Sequence, residues 1–172
     1  KAIVHRAGGV LLQHLKEHVL HGDVRKGDSV MWYTNTAWMM YHWLISALAA
    51  EATVILYDGA PILKTDSGLD CSPVWTWAEA TKTTHLGTSP KYLATLAAEG
   101  FEPGQQANLG ALRSLLVCGA PTLPHQFDWV YQAIKSDMSF SSISGGTEIL
   151  GSFLIGSPLH PVRRGQLTVK AL

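Results

Sequence analysis

The stretch Ser139–Leu150, which reads Ser-Phe-Ser-Ser-Ile-Ser-Gly-Gly-Thr-Glu-Ile-Leu, decides how the rest of the chain is interpreted. Polar and apolar residues alternate in its first half, which is typical of a half-buried strand. Gly145 and Gly146 then end the predicted strand, and a ligand can lie directly on backbone that carries no side chain. Thr147 and Glu148 follow, a hydroxyl that can donate to a phosphate oxygen and a carboxylate that can bind Mg²⁺. The same residues also fit a plain Gly-Gly turn with a solvated carboxylate, and by themselves they leave both interpretations open.

The composition favours a globular protein with a small-molecule partner. Of the 172 residues, 47% are hydrophobic and 15% are charged, which allows a large core and disfavours disorder. The charge is balanced, with 13 basic and 13 acidic residues, so it favours neither nucleic acid nor an anionic membrane as a partner. Cys71 and Cys118 lie far apart, outside any C-x-x-C pattern, and there is no signal or transit pattern. We therefore expect two thiols in a reducing, cytoplasmic compartment.

Strand-like and helix-like segments alternate along the chain. The predicted strands are Ala2–Arg6, Val30–Thr34, Thr53–Tyr57, Thr84–Gly87, Leu115–Cys118, the first half of Ser139–Leu150, and Gln166–Val169. The predicted helices are Val10–His21, Trp38–Ala50, Pro73–Ala80, Lys91–Glu99 and Pro124–Lys135. The predicted connections include Asp58–Asp70, Phe101–Gly110 and Gly151–Arg164. Short apolar strands that alternate with helices predict an α/β fold, with a largely parallel sheet covered by helices on both faces.

Three polar or Gly/Pro-rich turns follow predicted strands, at Thr34–Ala37, Gly119–Pro121 and Ser144–Glu148. Ligands of parallel sheets bind beyond the carboxyl ends of the strands, so these turns are the predicted binding elements. Ser29–Ala50 contains no charged residue, but polar residues at 34–36 interrupt it. We therefore expect a buried strand, a turn and a buried helix there, and no membrane span.

The motifs disfavour several other kinds of site. The chain lacks both G-x-x-x-x-G-K-[ST] and G-x-G-x-x-G, and Ser144 does not lie in G-x-S-x-G, which weakens a serine-hydrolase interpretation. Three histidines, His14, His18 and His21, share one face of a predicted helix. No carboxylate or cysteine is placed to complete a zinc site with them, so a solvated or partly packed face is expected. Among the tryptophans, Trp38 is the best candidate to line a pocket, and the others expected in the core are Trp43, Trp75, Trp77 and Trp129.

Seven segments of the chain carry a resemblance to a known family. They are Lys1–Gly9, Tyr33–Trp43, Thr53–Pro61, His85–Ala94, Gln126–Ile134, Ile143–Leu150 and Pro158–Gln166. Together they resemble the adenylate-forming enzymes, the acyl-CoA synthetase and luciferase-like superfamily. The Thr-Glu turn marks the superfamily as a whole. The Trp-Met-Met run at 38–40 and Ser-Gly-Gly-Thr-Glu at 144–148 resemble the narrower group of acetoacetyl-CoA synthetases.

The resemblance implies roles for residues of a nucleotide site and an acyl pocket. The nucleotide-binding positions would be Gly119, Ala120, Pro121, Ser144, Gly145, Gly146, Thr147 and Lys1, with the adenine against 119–121 and Lys1 at the end of a phosphate loop. Thr147 would contact the α-phosphate and Glu148 would hold Mg²⁺, so these two are the predicted catalytic residues. The acyl pocket would be lined by Trp38, Met39, Cys118 and Gly145. Gly145 stands where acetyl-CoA synthetases have a tryptophan, and glycine there would admit a longer acid such as acetoacetate.

The implied activity is that of an ATP-dependent acid–CoA ligase. Acetoacetate would attack the α-phosphorus of MgATP to give acetoacetyl-AMP and pyrophosphate, and CoA would then displace AMP. ATP, Mg²⁺, CoA and a short-chain acid are therefore the expected small-molecule partners. A ligase for another short-chain acid, and a non-catalytic nucleotide-binding module derived from such an enzyme, remain as alternatives.

The resemblance also predicts how much of such an enzyme this sequence contains. Residues 1–172 would be part of an AMP-binding domain, without the C-terminal lid, so the chain alone is expected to be incomplete for the full reaction. Three positions depart from the family, since Ala37 and Glu51 replace glycines and Gln166 replaces a glutamate. Glu51 is the oddest, because it lies in an apolar run and a buried carboxylate needs a partner.

Overall fold

The protein is built around a five-stranded parallel sheet. The computed structural model describes residues 2–172, so the predicted phosphate-loop residue Lys1 lies outside the described residues. In chain order the strands are β1 (Ser29–Trp32), β2 (Thr53–Ile55), β3 (Leu63–Thr65), β4 (Gly68–Asp70), β5 (His85–Thr88), β6 (Ser114–Val117), β7 (Ser139–Ser142), β8 (Ser144–Gly146), β9 (Gly151–Ile155) and β10 (Val169–Lys170). The main sheet has the order β2-β1-β5-β6-β7, and every neighbouring pair in it is parallel. The carboxyl ends of its strands therefore meet at one edge, where the predicted turns lie.

Helices cover both faces of this sheet. They are α1 (Ala7–Leu15), α2 (Met39–Ser46), α3 (Pro73–Ala80), α4 (Pro90–Ala98), α5 (Pro103–Gln106) and α6 (Pro124–Ala133). A π-helical segment, Lys16–His21, continues α1, and a 3₁₀ turn, Ala47–Ala50, continues α2. Helices α3, α4 and α6 pack on one face, and α2 packs on the other. The predicted parallel sheet with helices on both faces is confirmed.

One face of the sheet, here called the apolar face, presents a continuous row of apolar side chains. Ile55, Met31, Leu86, Leu115 and Phe140 lie in register across all five strands. The helices on this face contribute Val74, Trp75, Leu93, Leu96, Phe127 and Val130. Full burial of each large side chain is worth roughly 1.5–3 kcal/mol, so this face supplies much of the hydrophobic stabilisation.

The opposite face, here called the mixed face, combines apolar residues with buried polar ones. Trp32, Gly87, Leu116 and Ser141 form its cross-strand row. The Trp32 ring lies over Gly87 so closely that a Cβ built on Gly87 would be 2.0 Å from the ring. Glycine at this position is thus required by packing rather than by a turn.

A small antiparallel sheet, β8-β9-β10, adjoins the end of β7. The strand predicted to end at Gly145 and Gly146 instead ends at Ser142, and the glycines belong to β8 in this second sheet. Strand β9 lies in Gly151–Arg164, which was wrongly predicted as a connection. The half-buried pattern was also wrong for β7: Ser141 is buried with its neighbours, and Gly156 packs directly against it.

Other local predictions differ from the structure, because a short sequence pattern does not show which partner a segment meets in the fold. Ala2–Arg6 forms no strand, and a strand needs a partner to pair with. The loop predicted at Asp58–Asp70 contains the β3–β4 hairpin, and α5 lies inside Phe101–Gly110. Ser89 caps α4 as predicted, because its Oγ accepts from Tyr92 N at 3.2 Å.

The histidine face and Glu51 also differ from their predictions. His14, His18 and His21 are buried, and in the part of the chain that the structure describes no His, Cys, Asp or Glu cluster could hold a metal. Glu51 is exposed, and its carboxylate accepts from Lys26 Nζ at 2.6 Å. It ends the turn after α2 with φ of +57°, a left-handed conformation that favours glycine, and so fits the glycine that the resemblance implies at this position. Within residues 2–172, no helix has the length and apolar character that a membrane crossing needs.

Candidate functional site

A pocket of about 740 Å³ lies at the edge where the strands of the main sheet end. Its lining consists of residues 37–40, 118–122, 142–147 and 165–167, together with Phe127 and Gly151. The first three ranges follow β1, β6 and β7. Residues from all three turns that were predicted separately from the sequence therefore line one cavity, namely Ala37, Gly119–Pro121 and Ser144–Thr147.

Most of the predicted site residues line this pocket. They are Trp38, Met39, Cys118, Gly119, Ala120, Pro121, Ser144, Gly145, Gly146 and Thr147. Glu148 is the next residue along the turn and is exposed beside the pocket rather than part of its lining. Ala37 and Gln166, two of the residues that depart from the family pattern, also line the pocket.

The turn after β6 presents exposed backbone to the pocket. Gly119 has φ of +94°, a conformation that glycine adopts without strain, and Ala120 and Pro121 beside it are exposed. The hydroxyls of Thr122 and Ser142 lie 2.9 Å apart, which links this turn to the end of β7. The arrangement leaves an exposed, uncharged backbone surface that is suited to an uncharged base.

Another wall of the pocket comes from the start of α2. Asn35 forms a side-chain-to-backbone turn, because its Oδ1 accepts from Ala37 N at 3.0 Å and its carbonyl accepts from Trp38 N at 3.1 Å. This places the Trp38 ring, which is 64% exposed, over the cavity. Ala37 does not have a positive φ, so this turn does not require a glycine there.

Cys118 completes the wall beside Trp38 and Met39. Burial raises the pKa of its thiol to about 11, so the group is neutral at physiological pH. A neutral thiol is a weak nucleophile and behaves as a small apolar group. This side of the pocket is consequently suited to the uncharged part of a ligand.

The backbone of the turn after β8 is held by hydrogen bonds from two histidine side chains. His5 Nε2 donates to the Thr147 carbonyl at 2.8 Å, and His14 Nε2 donates to the Leu150 carbonyl at 2.9 Å. Leu150 adopts φ of +47°, which closes the turn. Among the described residues, neither Thr147 nor Glu148 makes a side-chain hydrogen bond, so both polar groups are available beside the cavity.

A single carboxylate at this point fits Mg²⁺ better than a metal held wholly by protein. Magnesium usually keeps several waters and is bound through one or two carboxylates plus substrate phosphates. Glu148 can supply one such oxygen, and it forms no ion pair with the described residues. The donor set beside the pocket is therefore compatible with a magnesium ion that arrives with a nucleotide.

Gly145 has a packing role that its pocket position alone does not reveal. A Cβ built on it would lie 2.1 Å from the Gly151 carbonyl oxygen and 2.8 Å from Ser152 Cα. Real Cβ atoms do not approach backbone so closely, so any side chain here requires β8 and β9 to move apart. The glycine is needed for the β8–β9 contact, whatever it does for the pocket volume.

Comparison with known proteins agrees with this architecture. Residues 1–169 match the family model described as AMP-binding enzyme. The chain belongs to the AMP-binding enzyme family. The predicted resemblance is thereby confirmed at the level of the family.

Relatives within the AMP-binding family include acyl-CoA synthetases. The acetoacetyl-coenzyme A synthetase of Rhizobium meliloti (strain 1021) is 43% identical over 167 residues, which is 97% of this chain and 25% of the relative. The malonamoyl-CoA synthetase of Penicillium aethiopicum is 38% identical over 181 residues, covering 100% of this chain and 25% of that protein. The solved structure of acetoacetyl-CoA synthetase from Streptomyces lividans superposes with a TM-score of 0.89 at 36% identity, and it covers 100% of this chain and 26% of that one. The chain thus spans about a quarter of the length of the relatives it matches.

A buried polar cluster below the site is the main feature that the sequence did not predict. It consists of Gln13, His14, Glu17, His18, Trp43 and Ser152. The one available signal was Glu17, an acidic residue between two histidines on the face predicted to be solvated or partly packed. Within this AMP-binding family member that face is buried, because β9 and α2 pack over it.

Proposed function

We propose that this chain forms the nucleotide and acyl-binding part of an ATP-dependent acid–CoA ligase that activates acetoacetate through an acyl-adenylate. The observation that carries the proposal is the convergence of three strand-end turns on one pocket, with an exposed uncharged backbone surface and an apolar wall, and with the Thr147 hydroxyl and the Glu148 carboxylate at its edge. Residues 1–172 would then be part of the AMP-binding domain, with the C-terminal lid supplied by sequence outside them.

Each wall of the pocket has a role in this proposal. Gly119, Ala120 and Pro121 lie against the adenine, and Ser144, Gly145 and Gly146 bring bare backbone up to the nucleotide. Thr147 donates from its hydroxyl to the α-phosphate. These contacts hold the α-phosphorus in line with the attacking carboxylate, and positioning of this kind supplies most of the catalysis in phosphoryl and nucleotidyl transfer.

Glu148 would hold the Mg²⁺ that accompanies ATP. When bound, the ion neutralises phosphate charge and so favours departure of pyrophosphate. The exposure of Glu148 suits this role, since magnesium needs room for its waters. Lys1 would contribute from the phosphate loop. In the second half-reaction, the CoA thiol displaces AMP from the adenylate.

The acid is proposed from the wall that would enclose it. Acetoacetate and malonamate share the same skeleton and the same second carbonyl, and they differ only in whether that carbonyl carries a methyl group or an NH₂ group. The wall of Trp38, Met39 and neutral Cys118 offers a methyl group apolar contact. An NH₂ group buried there without a hydrogen-bond partner would cost about 1–3 kcal/mol, so acetoacetate is the favoured acid. The malonamoyl-CoA synthetase relative makes malonamate the second candidate.

Acid-dependent ATP–pyrophosphate exchange tests the proposal on the complete polypeptide that carries these residues. We expect exchange with acetoacetate, at least about tenfold lower kcat/KM with malonamate, and little with acetate. Glu148→Gln should abolish exchange, whereas Asp66→Asn, in the exposed tip of the β3–β4 hairpin, should leave it unchanged. Exchange with none of these acids, together with tight binding of a non-hydrolysable acetoacetyl-AMP mimic, would instead support the non-catalytic nucleotide-binding module.

The compartment is proposed from the two cysteines. Cys71 and Cys118 are both free thiols, and neither is paired. This state is typical of a reducing environment, so we place the protein in the cytoplasm.

A further inference from the structure

Glu17 is a fully buried carboxylate whose hydrogen-bonding capacity is filled by neutral donors. It is 0% exposed and lies in the π-helical segment Lys16–His21. Its Oε1 accepts from Ser152 N at 2.7 Å and from Gln13 Nε2 at 2.8 Å. Its Oε2 accepts from Trp43 Nε1 at 3.0 Å and from Ser152 Oγ at 3.2 Å. A carboxylate offers about four acceptor positions, and all four are used.

Three of these bonds, those from Ser152 and Trp43, connect the helix to both sides of the proposed site. Ser152 follows Gly151 at the start of β9, directly after the turn that carries Thr147 and Glu148. Trp43 belongs to α2, the helix that places Trp38 over the cavity. Glu17 is therefore the point at which the proposed phosphate turn and the proposed acyl wall are joined.

The base of the turn rests directly on this carboxylate. A Cβ built on Gly151 would lie 2.2 Å from Gln13 Nε2 and 2.8 Å from Glu17 Oε1. Gly151 in turn is the residue whose carbonyl packs against Gly145 in the pocket lining. A displacement of the carboxylate would consequently shift both strands that frame the turn.

The segment that carries Glu17 has π-helical rather than regular α-helical backbone bonds at its end. The amides of Gly22 and Val24 reach back to the carbonyls of Glu17 and His18, at 2.8 and 2.9 Å, in place of a regular α-helical ladder. Such local widening of a helix is uncommon and is frequent at functional sites. Glu17 and His18 are both buried on the inner side of this segment, and the His18 ring lies 3.9 Å from the Trp43 ring.

We propose that Glu17 is a positioning residue that holds the Thr147–Glu148 turn in the geometry required for the nucleotide and its metal. The proposal rests on the proposed function and adds a determinant outside the pocket lining. Glu17 does not touch the substrate. It acts by fixing Gly151 and Ser152, and through them the turn, while anchoring α2.

The variant Glu17→Gln tests this role with little change in side-chain volume. The glutamine side chain has one acceptor oxygen instead of two. Its NH₂ group must therefore face donors that bonded to the carboxylate in the wild type. We expect the KM for MgATP to rise and kcat for ATP–pyrophosphate exchange to fall, so that kcat/KM falls roughly 10- to 100-fold. Losses of this size are typical when the replaced residue orients a metal ligand without binding the metal itself. The KM for acetoacetate should change less. Glu79→Gln, on the exposed side of α3, is the matched control and should leave both constants unchanged.

Amide hydrogen exchange gives a readout that does not depend on activity. In Glu17→Gln we expect faster exchange at residues 147–152 and unchanged protection in β5 and β6. Wild-type kinetics and wild-type protection of the turn in a folded Glu17→Gln protein would overturn the proposal. If the wild type has no ligase activity, the proposed function fails. The amide hydrogen exchange measurement still decides whether Glu17 orders the turn.

Two milder variants keep the test decisive if Glu17→Gln does not fold. Ser152→Ala removes one donor from the β9 side, and Trp43→Phe removes the donor from α2. Each should raise the KM for MgATP by about two- to fivefold and loosen the turn, in proportion to a single lost hydrogen bond. Unchanged turn protection and KM in both variants would show that the carboxylate is a packing feature only.

Discussion

The two faces of the main sheet are built from different kinds of interaction. On the apolar face, Met31, Leu86, Leu115 and Phe140 meet the helices through side chains alone. Around α1 and its π-helical continuation, on the other side, buried polar groups bond to backbone atoms. Hydrophobic contacts tolerate small shifts, whereas a hydrogen bond fixes distance and direction. The apolar face is therefore suited to stabilise the fold, and the polar cluster to set the geometry of the turns beside the pocket.

The largest effect on stability is expected on the apolar face. Leu93 of α4 is fully buried and lies away from the pocket lining. Leu93→Ala should reduce the free energy of unfolding by roughly 2–5 kcal/mol, through lost burial and the cavity left behind. Urea denaturation measures this change. Leu93→Met, which conserves volume, should cost less than about 1.5 kcal/mol.

This variant also tests whether the two faces have separate roles. Leu93→Ala should leave the affinity of the folded protein for an acetoacetyl-AMP mimic unchanged. A large loss of affinity without unfolding would show that the apolar face also sets the geometry of the site.

Acid should destabilise the protein through its buried histidines. Burial lowers the pKa of His18 from 6.5 to about 4, and burial also lowers the pKa values of His14 and His85. Between pH 6.5 and about pH 4 the unfolded chain therefore binds more protons than the folded chain. The free energy of unfolding consequently falls as the pH is lowered through this range. The His18 contribution to that loss is roughly 3 kcal/mol.

Unfolding free energies measured across this pH range check the sign and size of the effect. His18→Gln keeps a donor for the Trp43 carbonyl but has no titrating ring, so its stability should vary less with pH. His160→Gln, at an exposed loop position, should retain the wild-type pH dependence. A wild-type stability that rises as the pH falls through this range would contradict the prediction.

A smaller effect is expected where the second sheet meets the pocket. Gly145→Ala forces Cβ against the Gly151 carbonyl, so we expect a loss of roughly 1–3 kcal/mol in the free energy of unfolding. Gly146→Ala is the neighbouring control, because its Cβ would meet only the movable Glu148 carboxylate, at 3.1 Å. Equal stabilities of the two variants, measured by urea denaturation, would contradict the close β8–β9 pairing at Gly145.

The smallest effect is expected at the exposed start of α1. Gly8 has open space around its Cβ position, so Gly8→Ala should stabilise the protein by roughly 0.4–1 kcal/mol by restricting the unfolded chain. Gly27 also has open space but has φ of +85°, so Gly27→Ala should destabilise it. Thermal denaturation of both variants measures the effect of backbone conformation alone, because neither added Cβ meets a neighbouring atom.

Much of the candidate site was predictable because turn residues are informative locally. Gly119–Pro121 and Ser144–Thr147 are short Gly/Pro-rich or polar runs after apolar strands, and a parallel sheet brings such turns to one edge. The contact between Gly145 and Gly151 was not predictable in this way. It depends on how β9 folds back, and β9 was not recognised at all.

The sequence by itself determined the α/β alternation and the positions of the three turns, since these follow from periodicity and short motifs, and its resemblance to known sequences indicated the family. Only the tertiary structure decided which polar residues are buried and which are exposed. Glu51, in an apolar run, is exposed, and Glu17, on a face expected to be solvated or partly packed, is fully buried. The physical reason is that a buried polar group depends on its partner, and the main partner of Glu17 is Ser152, 135 residues away along the chain.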